Sequence, residues 1–522
     1  MTTSSRTGFH QALVRLLSIV LLVALSATYA QTPQFGGTLT VAYSTDPVTM
    51  DTMVNISPPR EVRSLVFEPL VDFDASFTPQ PTLATSWETS ADGLTWTFYL
   101  REGVVFHDGT SMTSADVVAS FDRLKRVGQR ATEFRVVESA EAVDDYTVQF
   151  NLSEPWAAFT ESLSMPGGGL TVYPAWVVEK WGDDTLTSDF IGTGPYRVVE
   201  IVTGERYVFE RFEDYVSPPG EPSHLAGARN AYADRIVVLP IPDPSTRVAA
   251  LQTGEIDVAV SVPGDDLVRL NADPNVNTFV SMPGYRLYMK LNTVQGPFTD
   301  PLLRRAVRAA IDSEAVMATQ GPEELWRVNN TPRFQEGLWM WHDNVAPYFQ
   351  NDMELARYLV DASDYAGETI RFMASPGRAF EYRTFIIVEE ALRDIGLNIE
   401  VVTVDSATFN QRRADNSAWE AKVAGGTPTS PVSYLNSSAV DRRGQRWPWV
   451  TPEWDYYFAE TQRNPDQEAR SEALWHLYRL HAEGAGELWF GDVFWFNAAR
   501  ANVHGVPTDG GDMLWLPNVW KE

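Results

Sequence analysis

The stretch YRTFIIVEEALRDIGLNIEVVTV, Tyr382 to Val404, sets the architecture. Phe385, Val388, Leu392 and Ile395 recur at steps of three and four, so a helix from about Tyr382 to Ile395 carries them on one face. Gly396 supplies a left-handed stop, and the β-branched run Asn398–Val404 reads as a strand. A helix feeding directly into a strand is an α/β unit, and the region 370–404 reads as βαβ.

Working outward, the same alternation holds. Asp300 caps a helix with Pro301 at its first position, and Leu303, Val307, Ala310 and Ile311 share one face. Asp352 begins another, with Leu355, Tyr358 and Leu359 spaced for burial. Strands are expected at Thr38–Ala42, Thr95–Leu100, Tyr146–Leu152, Tyr196–Val202, Arg206–Arg211, Arg235–Leu239 and Leu287–Leu291. No repeat of roughly 20 to 50 residues is present, which argues against solenoids and propellers.

The chain has 522 residues, enough for two or three domains. With 69 Asp and Glu against 41 Lys and Arg, the net charge of −28 repels polyphosphates, so nucleic acid is not an expected partner. Cysteine is absent, which removes disulfides, thiolate metal sites, thiol nucleophiles and lipidated cysteine. At the N-terminus, Arg6 and Arg15 precede the apolar run Leu16–Leu25 and the small residues Ser26–Ala30, the pattern of a secretory signal peptide over residues 1–30. A run of about ten residues is too short to span a bilayer of roughly 30 Å, so a soluble, exported, unanchored periplasmic protein is expected after cleavage. Loss of the two arginines takes its charge to −30.

Signs of chemistry are sparse. His107-Asp108 adjoins Gly109, where Asp-Gly reads as a hairpin turn and neighbouring strand residues face opposite ways. The seven histidines contain no pair at i, i+3 or i+4, which disfavours a metal site. Gly192-Thr193-Gly194-Pro195 lacks phosphate-loop spacing and reads as a structural turn. Neither His-Glu-x-x-His nor Gly-x-Ser-x-Gly occurs. Glu68 and Glu88 are carboxylates a hydrolase could use, with a structural role as the stronger reading. No catalytic residue, metal or cofactor is expected.

Several stretches together resemble the family 5 solute-binding proteins of ABC importers, which include dipeptide-, oligopeptide- and nickel-binding proteins. They are Phe67-Glu68-Pro69-Leu70-Val71, Leu83-Ala84-Thr85-Ser86-Trp87-Glu88, Asp92-Gly93-Leu94-Thr95-Trp96-Thr97-Phe98, and Leu100-Arg101-Glu102-Gly103-Val104-Val105-Phe106-His107-Asp108-Gly109. Thr113-Ser114-Ala115-Asp116-Val117-Val118, Gly192-Thr193-Gly194-Pro195-Tyr196, Ala250-Leu251-Gln252-Thr253-Gly254-Glu255-Ile256-Asp257 and Leu291-Asn292 through Pro297-Phe298 to Arg304-Arg305-Ala306 extend the likeness over nearly the whole mature chain. The resemblance implies an α/β, two-lobed periplasmic-binding-protein clamp of type II, with mixed sheets flanked by helices. Lobe I would cover 35–282 and 487–522, with an extra subdomain near 81–190, and lobe II would cover 283–486. Hinge strands are expected near Tyr285–Lys290 and Leu488–Phe496.

The resemblance also implies where a solute is held. Dipeptide binders of the family grip the α-carboxylate with an arginine, whose place falls within a residue of Arg383, with Arg378 as the alternative. Their amine-binding aspartate belongs to a glycine-led loop that matches Gly425-Gly426-Thr427-Pro428-Thr429-Ser430-Pro431-Val432-Ser433-Tyr434, and here Thr427 takes its place. No carboxylate occurs between Ala421 and Val440, and hydroxyls at Thr427, Thr429 and Ser430 suit an uncharged polar group better than an ammonium. Trp447, Trp449, Trp454, Tyr456 and Tyr457 offer flat faces to sugars or apolar side chains, although core packing is the fate expected for half or more of them. Asn55 and Ser57 correspond to a cleft-lining loop of lobe I. The expected ligand set is therefore Asn55, Ser57, Arg383, Thr427, Thr429, Ser430, Tyr434 and Trp447. The expected function is capture of a peptide or similar small polar solute by a monomer that delivers it to an inner-membrane ABC permease. An oligosaccharide is the alternative, followed by a nickel chelate, a secreted hydrolase and an interaction scaffold.

Overall fold

A computed structural model describes residues 32–522 apart from 48, 55–59, 165–168, 330–338, 341, 343–350, 414, 427–449, 485 and 508–513. The chain divides into an N-terminal piece, Met1–Gln34, and a compact unit, Phe35–Glu522. All that follows concerns the second.

Its frame is one mixed sheet of eleven strands, numbered here in chain order: β1 (Thr38–Tyr43), β2 (Tyr196–Val202), β3 (Arg206–Arg211), β4 (Arg235–Pro240), β5 (Val258–Ala259), β6 (Val276–Leu291), β7 (Trp326–Val328), β8 (Ile370–Ala374), β9 (Ile399–Thr403), β10 (Ala421–Gly426) and β11 (Glu487–Arg500). The spatial order is β9-β8-β10-β6-β11-β5-β1-β4-β3-β2, with β7 set against β11. At one end β8 pairs in parallel with both β9 and β10; helix Ala379–Asp394 connects β8 to β9, so the expected βαβ unit is present. Phe385, Val388, Leu392 and Ile395 are buried, and Gly396 stops the helix at φ 91°. At the other end β1 lies parallel to β4 and β5, while β2 and β3 form an antiparallel hairpin.

Two large cores hang on this frame. One gathers Val41, Leu65, Tyr196 and Ile236 with the rings of Phe98, Phe121, Phe150 and Phe159. Those rings belong to a separate antiparallel four-stranded sheet, 84–89, 95–100, 147–152 and 137–144, and to the helices beside it. Phe98 meets Phe150 edge-on at 5.6 Å, a geometry worth about 0.5–1.5 kcal/mol beyond area burial. The other core gathers Leu287, Leu303, Phe372, Val388, Leu477 and Trp489. The capped helices behave as read: the Asp300 carboxylate accepts from Leu302 N–H, and that of Asp352 from Leu355 N–H. One expectation fails: Tyr358 is 68% exposed, because helix Met353–Asp361 buries only the narrow face of Ala356 and Leu359.

β6 and β11 run antiparallel through both bodies. Phe496 and Ala498 pack with Val276, Ala42 and Val248 in a third cluster, whereas Leu287, Met289, Leu488 and Trp489 belong to the second core. Between the two the ladder shifts register, from Ser281 opposite Trp495 to Tyr285 opposite Val493. Gly284 sits in that shift, where a Cβ would lie 1.9 Å from the Val493 carbonyl oxygen, so only glycine permits the approach.

Candidate ligand cleft

The crossing point concentrates polar groups that apolar strands would not otherwise carry. Arg286 on β6 and Asp492 on β11 are both sealed from solvent and form an ion pair. Asp492 also accepts from Arg327 Nε at 3.0 Å and Asn329 Nδ2 at 3.0 Å. Burial pushes its pKa up, but Arg286 and then Arg327 outweigh this and hold the carboxyl below its ordinary range.

One residue before Arg286, Tyr285 turns its ring toward the start of helix Ala379–Asp394. Its hydroxyl donates to Glu381 Oε1 at 2.8 Å, and burial followed by the Glu381 charge raises the phenol pKa, so it stays a neutral donor. The ring lies 6.0 Å from Phe380 and 6.1 Å from Trp495, which is itself 6.2 Å from Phe380. The Trp495 indole N–H is buried and finds no partner among the described residues. Gly425, near the end of β10, completes the packing, because a Cβ there would meet the Tyr285 ring at 2.1 Å. Gly425 and Gly426 thus close the strand, paired with Leu287 and Arg286, rather than opening the loop read from the sequence.

Arg378 precedes that helix and joins the cluster. Its Nη2 donates to the Tyr285 hydroxyl at 3.2 Å, it is ion-paired with Glu381, and its guanidinium lies 5.2 Å over the Phe409 ring. Arg383 sits one turn further on, exposed, with Nη1 3.4 Å from the Gln320 carbonyl. Asn55, Ser57, Thr427, Thr429, Ser430, Tyr434, Trp447 and Trp449 lie outside the described residues. Of the other aromatic candidates, Trp454 is core, Tyr457 stacks on His476 at 4.0 Å, and Tyr456 is 61% exposed. Sequence reasoning missed Tyr285, Phe380, Glu381 and Trp495. The available signal was the charge embedded in each apolar strand, Arg286 in YRLYMKL and Asp492 in ELWFGDVFWF.

The tempting acid/base groups are structural. His107 Nε2–H donates to the Gly194 carbonyl at 2.9 Å while Gly192 N–H points at Nδ1 from 3.4 Å, and burial pushes the imidazole down to about 4. Glu68 is buried and accepts from Arg229, the Tyr215 hydroxyl and the Thr193 hydroxyl. Glu88 is exposed and accepts from the Tyr99 hydroxyl at 2.7 Å. Among the described residues no three His, Asp or Glu side chains are grouped as a metal ion needs, and no helix is long and apolar enough to cross a membrane.

Two α/β lobes joined by a strand pair define the class of the type II periplasmic-binding-protein clamp, and solved structures of that class superpose closely. DppA from Helicobacter pylori in complex with the peptide STSA matches with a TM-score of 0.78 over 94% of this chain and 99% of its own, at 23% identity. NikA from Brucella suis in complex with Fe(III)-EDTA matches at 0.80 over 93% and 100%, also at 23% identity. In sequence, a probable peptide ABC transporter periplasmic-binding protein, y4tO of Sinorhizobium fredii, is 29% identical over 411 residues, 76% of each chain. The model of bacterial extracellular solute-binding proteins, family 5 Middle, matches residues 78–444, and the chain belongs to that family.

Proposed function

We propose that this protein is a periplasmic solute receptor that takes up a short peptide or similar small polar amide compound between its lobes and hands it to an inner-membrane ABC permease. The observation that carries the reading is the passage of β6 and β11 between two separately cored bodies, with aromatic and charged side chains gathered where they cross. The peptide-transport name of y4tO adds support. On this reading residues 1–30 are an export signal, the lobes are divided near 282 and 487, and a monomer closes on its guest. A solute that contacts both lobes only in the closed form shifts the population toward closure, and about 5.5 kcal/mol of preference takes it from 1:99 to 99:1.

Arg383 and Arg378 are the two cations offered for a ligand carboxylate, and they differ in what they already hold. Arg378 is matched to Glu381, whereas the hydrogen bond of Arg383 among the described residues is to a carbonyl. Arg383→Ala should therefore weaken an anionic peptide about tenfold or more in calorimetric titration. An unchanged affinity removes Arg383 from the site.

A second reading, an oligosaccharide, is favoured by the Tyr285–Phe380–Trp495 trio, whose ring faces suit sugar C–H groups. A thermal-shift screen of di- to tetrapeptides against α- and β-linked oligosaccharides separates the two, since ligand at 100 times Kd adds about 2.7 kcal/mol of stability. Products in place of stable complexes would instead favour a hydrolase.

A further inference from the structure

The lobes touch again away from the crossing strands. Beyond strand 147–152 the chain turns through Glu154 and Ala157 into the short helix Phe159–Leu163, and Trp156, Ala158, Phe159 and Leu163 are buried in the first core. Facing this turn are helices Pro452–Arg463 and Gln467–Gly484, rooted in the second core by Trp454, Leu474 and Leu477. Three polar contacts cross the seam. Ala157 N–H donates to the Gln462 carbonyl at 2.6 Å, Arg470 Nη1 donates to Glu161 Oε1 at 2.9 Å, and Arg463 pairs with Glu154. Beside them lies a cavity of about 200 Å³ lined from both sides, by Trp156 and Ser162 on one and Phe458 and Gln462 on the other.

The two ion pairs differ in kind. Arg463 and Glu154 are 53% and 40% exposed, so water and salt screen them. Arg470 and Glu161 are only 9% and 13% exposed. Each is also held within its own lobe: the second oxygen of Glu161 accepts from the Thr160 hydroxyl at 3.2 Å, and the Arg470 guanidinium lies 5.0 Å over the Trp339 ring. Two halves fixed beforehand lose little side-chain freedom when they meet. If the lobes part at this seam, both charges regain water.

We propose that Arg470 and Glu161, with the Ala157–Gln462 hydrogen bond, form a closure latch. They are positioning residues that act on solute affinity through the lobe equilibrium and do not touch the solute. Since the latch consists of protein atoms alone, it favours closure whether or not a guest is present.

The absence of cysteine allows clean labelling. Spin labels at Asp145→Cys and Glu472→Cys, one exposed site per lobe, report the interlobe distance in the full chain without any solute. Arg470→Gln and Glu161→Gln should each lower the closed-to-open ratio about tenfold, as loss of a charge-assisted hydrogen bond predicts, with melting temperatures unchanged. In 1 M NaCl, where the screening length falls to about 3 Å, the exposed Arg463–Glu154 pair is screened but the desolvated Arg470–Glu161 pair is largely spared, so the parent should remain more closed than the variants. An Ala157→Cys/Gln462→Cys pair, made without labels, should oxidise readily, and small-angle scattering should then show the compact form even in high salt. Identical distance distributions in parent and variants, a parent that opens in 1 M NaCl as far as the variants do, or a cysteine pair that does not oxidise each overturn the latch. No solute enters the experiment, so its failure leaves the proposed function standing, and failure of peptides to bind leaves the latch standing.

Discussion

Where β6 and β11 cross between the lobes, Arg286 and Asp492 are fully sealed and share their hydrogen bonds with Arg327 and Asn329, whereas at the seam beyond Ala157 the charges of Arg463 and Glu154 stand half in water. A pair locked inside the strand ladder does not part at small cost, because separating it would break a desolvated hydrogen-bond network. A pair at a wet seam parts at small cost. On the proposed closing motion, the first arrangement serves as a fixed pivot and the second as a contact that can be formed and broken.

The hardest test of the pivot is Asp492→Ala. It removes the buried carboxylate on which Arg286, Arg327 and Asn329 converge, and the expected loss is about 3–5 kcal/mol in urea unfolding. A loss no greater than that of a seam variant would erase the distinction. Gly284→Ala should follow at about 1–3 kcal/mol, because the new Cβ is driven into the Val493 carbonyl and the register shift must move. A melting temperature equal to the parent's would show the crossing to be looser than its packing implies.

The crossing was also where sequence reading stopped short. Local periodicity placed Tyr196–Val202 and Arg206–Arg211 to the residue, since strand alternation and turn residues are both near-neighbour signals. For β6 periodicity marks Leu287–Leu291 and the resemblance a hinge strand near Tyr285–Lys290, yet the strand begins at Val276. Pro283 and Gly284 read as a break, and only the partner strand shows that the ladder resumes after shifting register. The helix before β9 was legible in length and face, but it starts at Ala379, three residues earlier than read. That offset puts Arg378 at the cap beside Tyr285 and leaves Arg383 on an exposed face. Tyr285 and Glu381 are 96 residues apart, and Arg286 and Asp492 are 206 apart, so no local pattern could pair them. The family-like stretches carried the clamp, and most of the expected ligand set falls on residues outside those described.

Acid probes the interior rather than the seam. His107 is neutral when folded, with a pKa near 4, and its unfolded value is about 6.5. Its contribution is complete above the unfolded value and is lost as pH falls toward 4, because the unfolded chain then binds the extra proton. Between pH 7.5 and 5.5 this amounts to about 1.4 kcal/mol. Denaturation curves of the parent and His107→Gln at the two pH values isolate it from the many carboxylates. Equal slopes would mean that His107 is not the buried, neutral group described.

Glu154→Gln should do least of all. Its partner Arg463 is 53% exposed, and an ion pair so placed is worth about 0–1 kcal/mol before salt reduces it further. The closed-to-open ratio of labelled Glu154→Gln should therefore stay within about threefold of the parent while that of Glu161→Gln falls about tenfold. The two glutamates are seven residues apart on one turn of chain and each meets an arginine across the same seam, so burial is the main variable between them. If Glu154→Gln opened the lobes as far as Glu161→Gln, the seam would be held by its overall charge rather than by one desolvated pair, and the contrast with the pivot would rest on exposure alone.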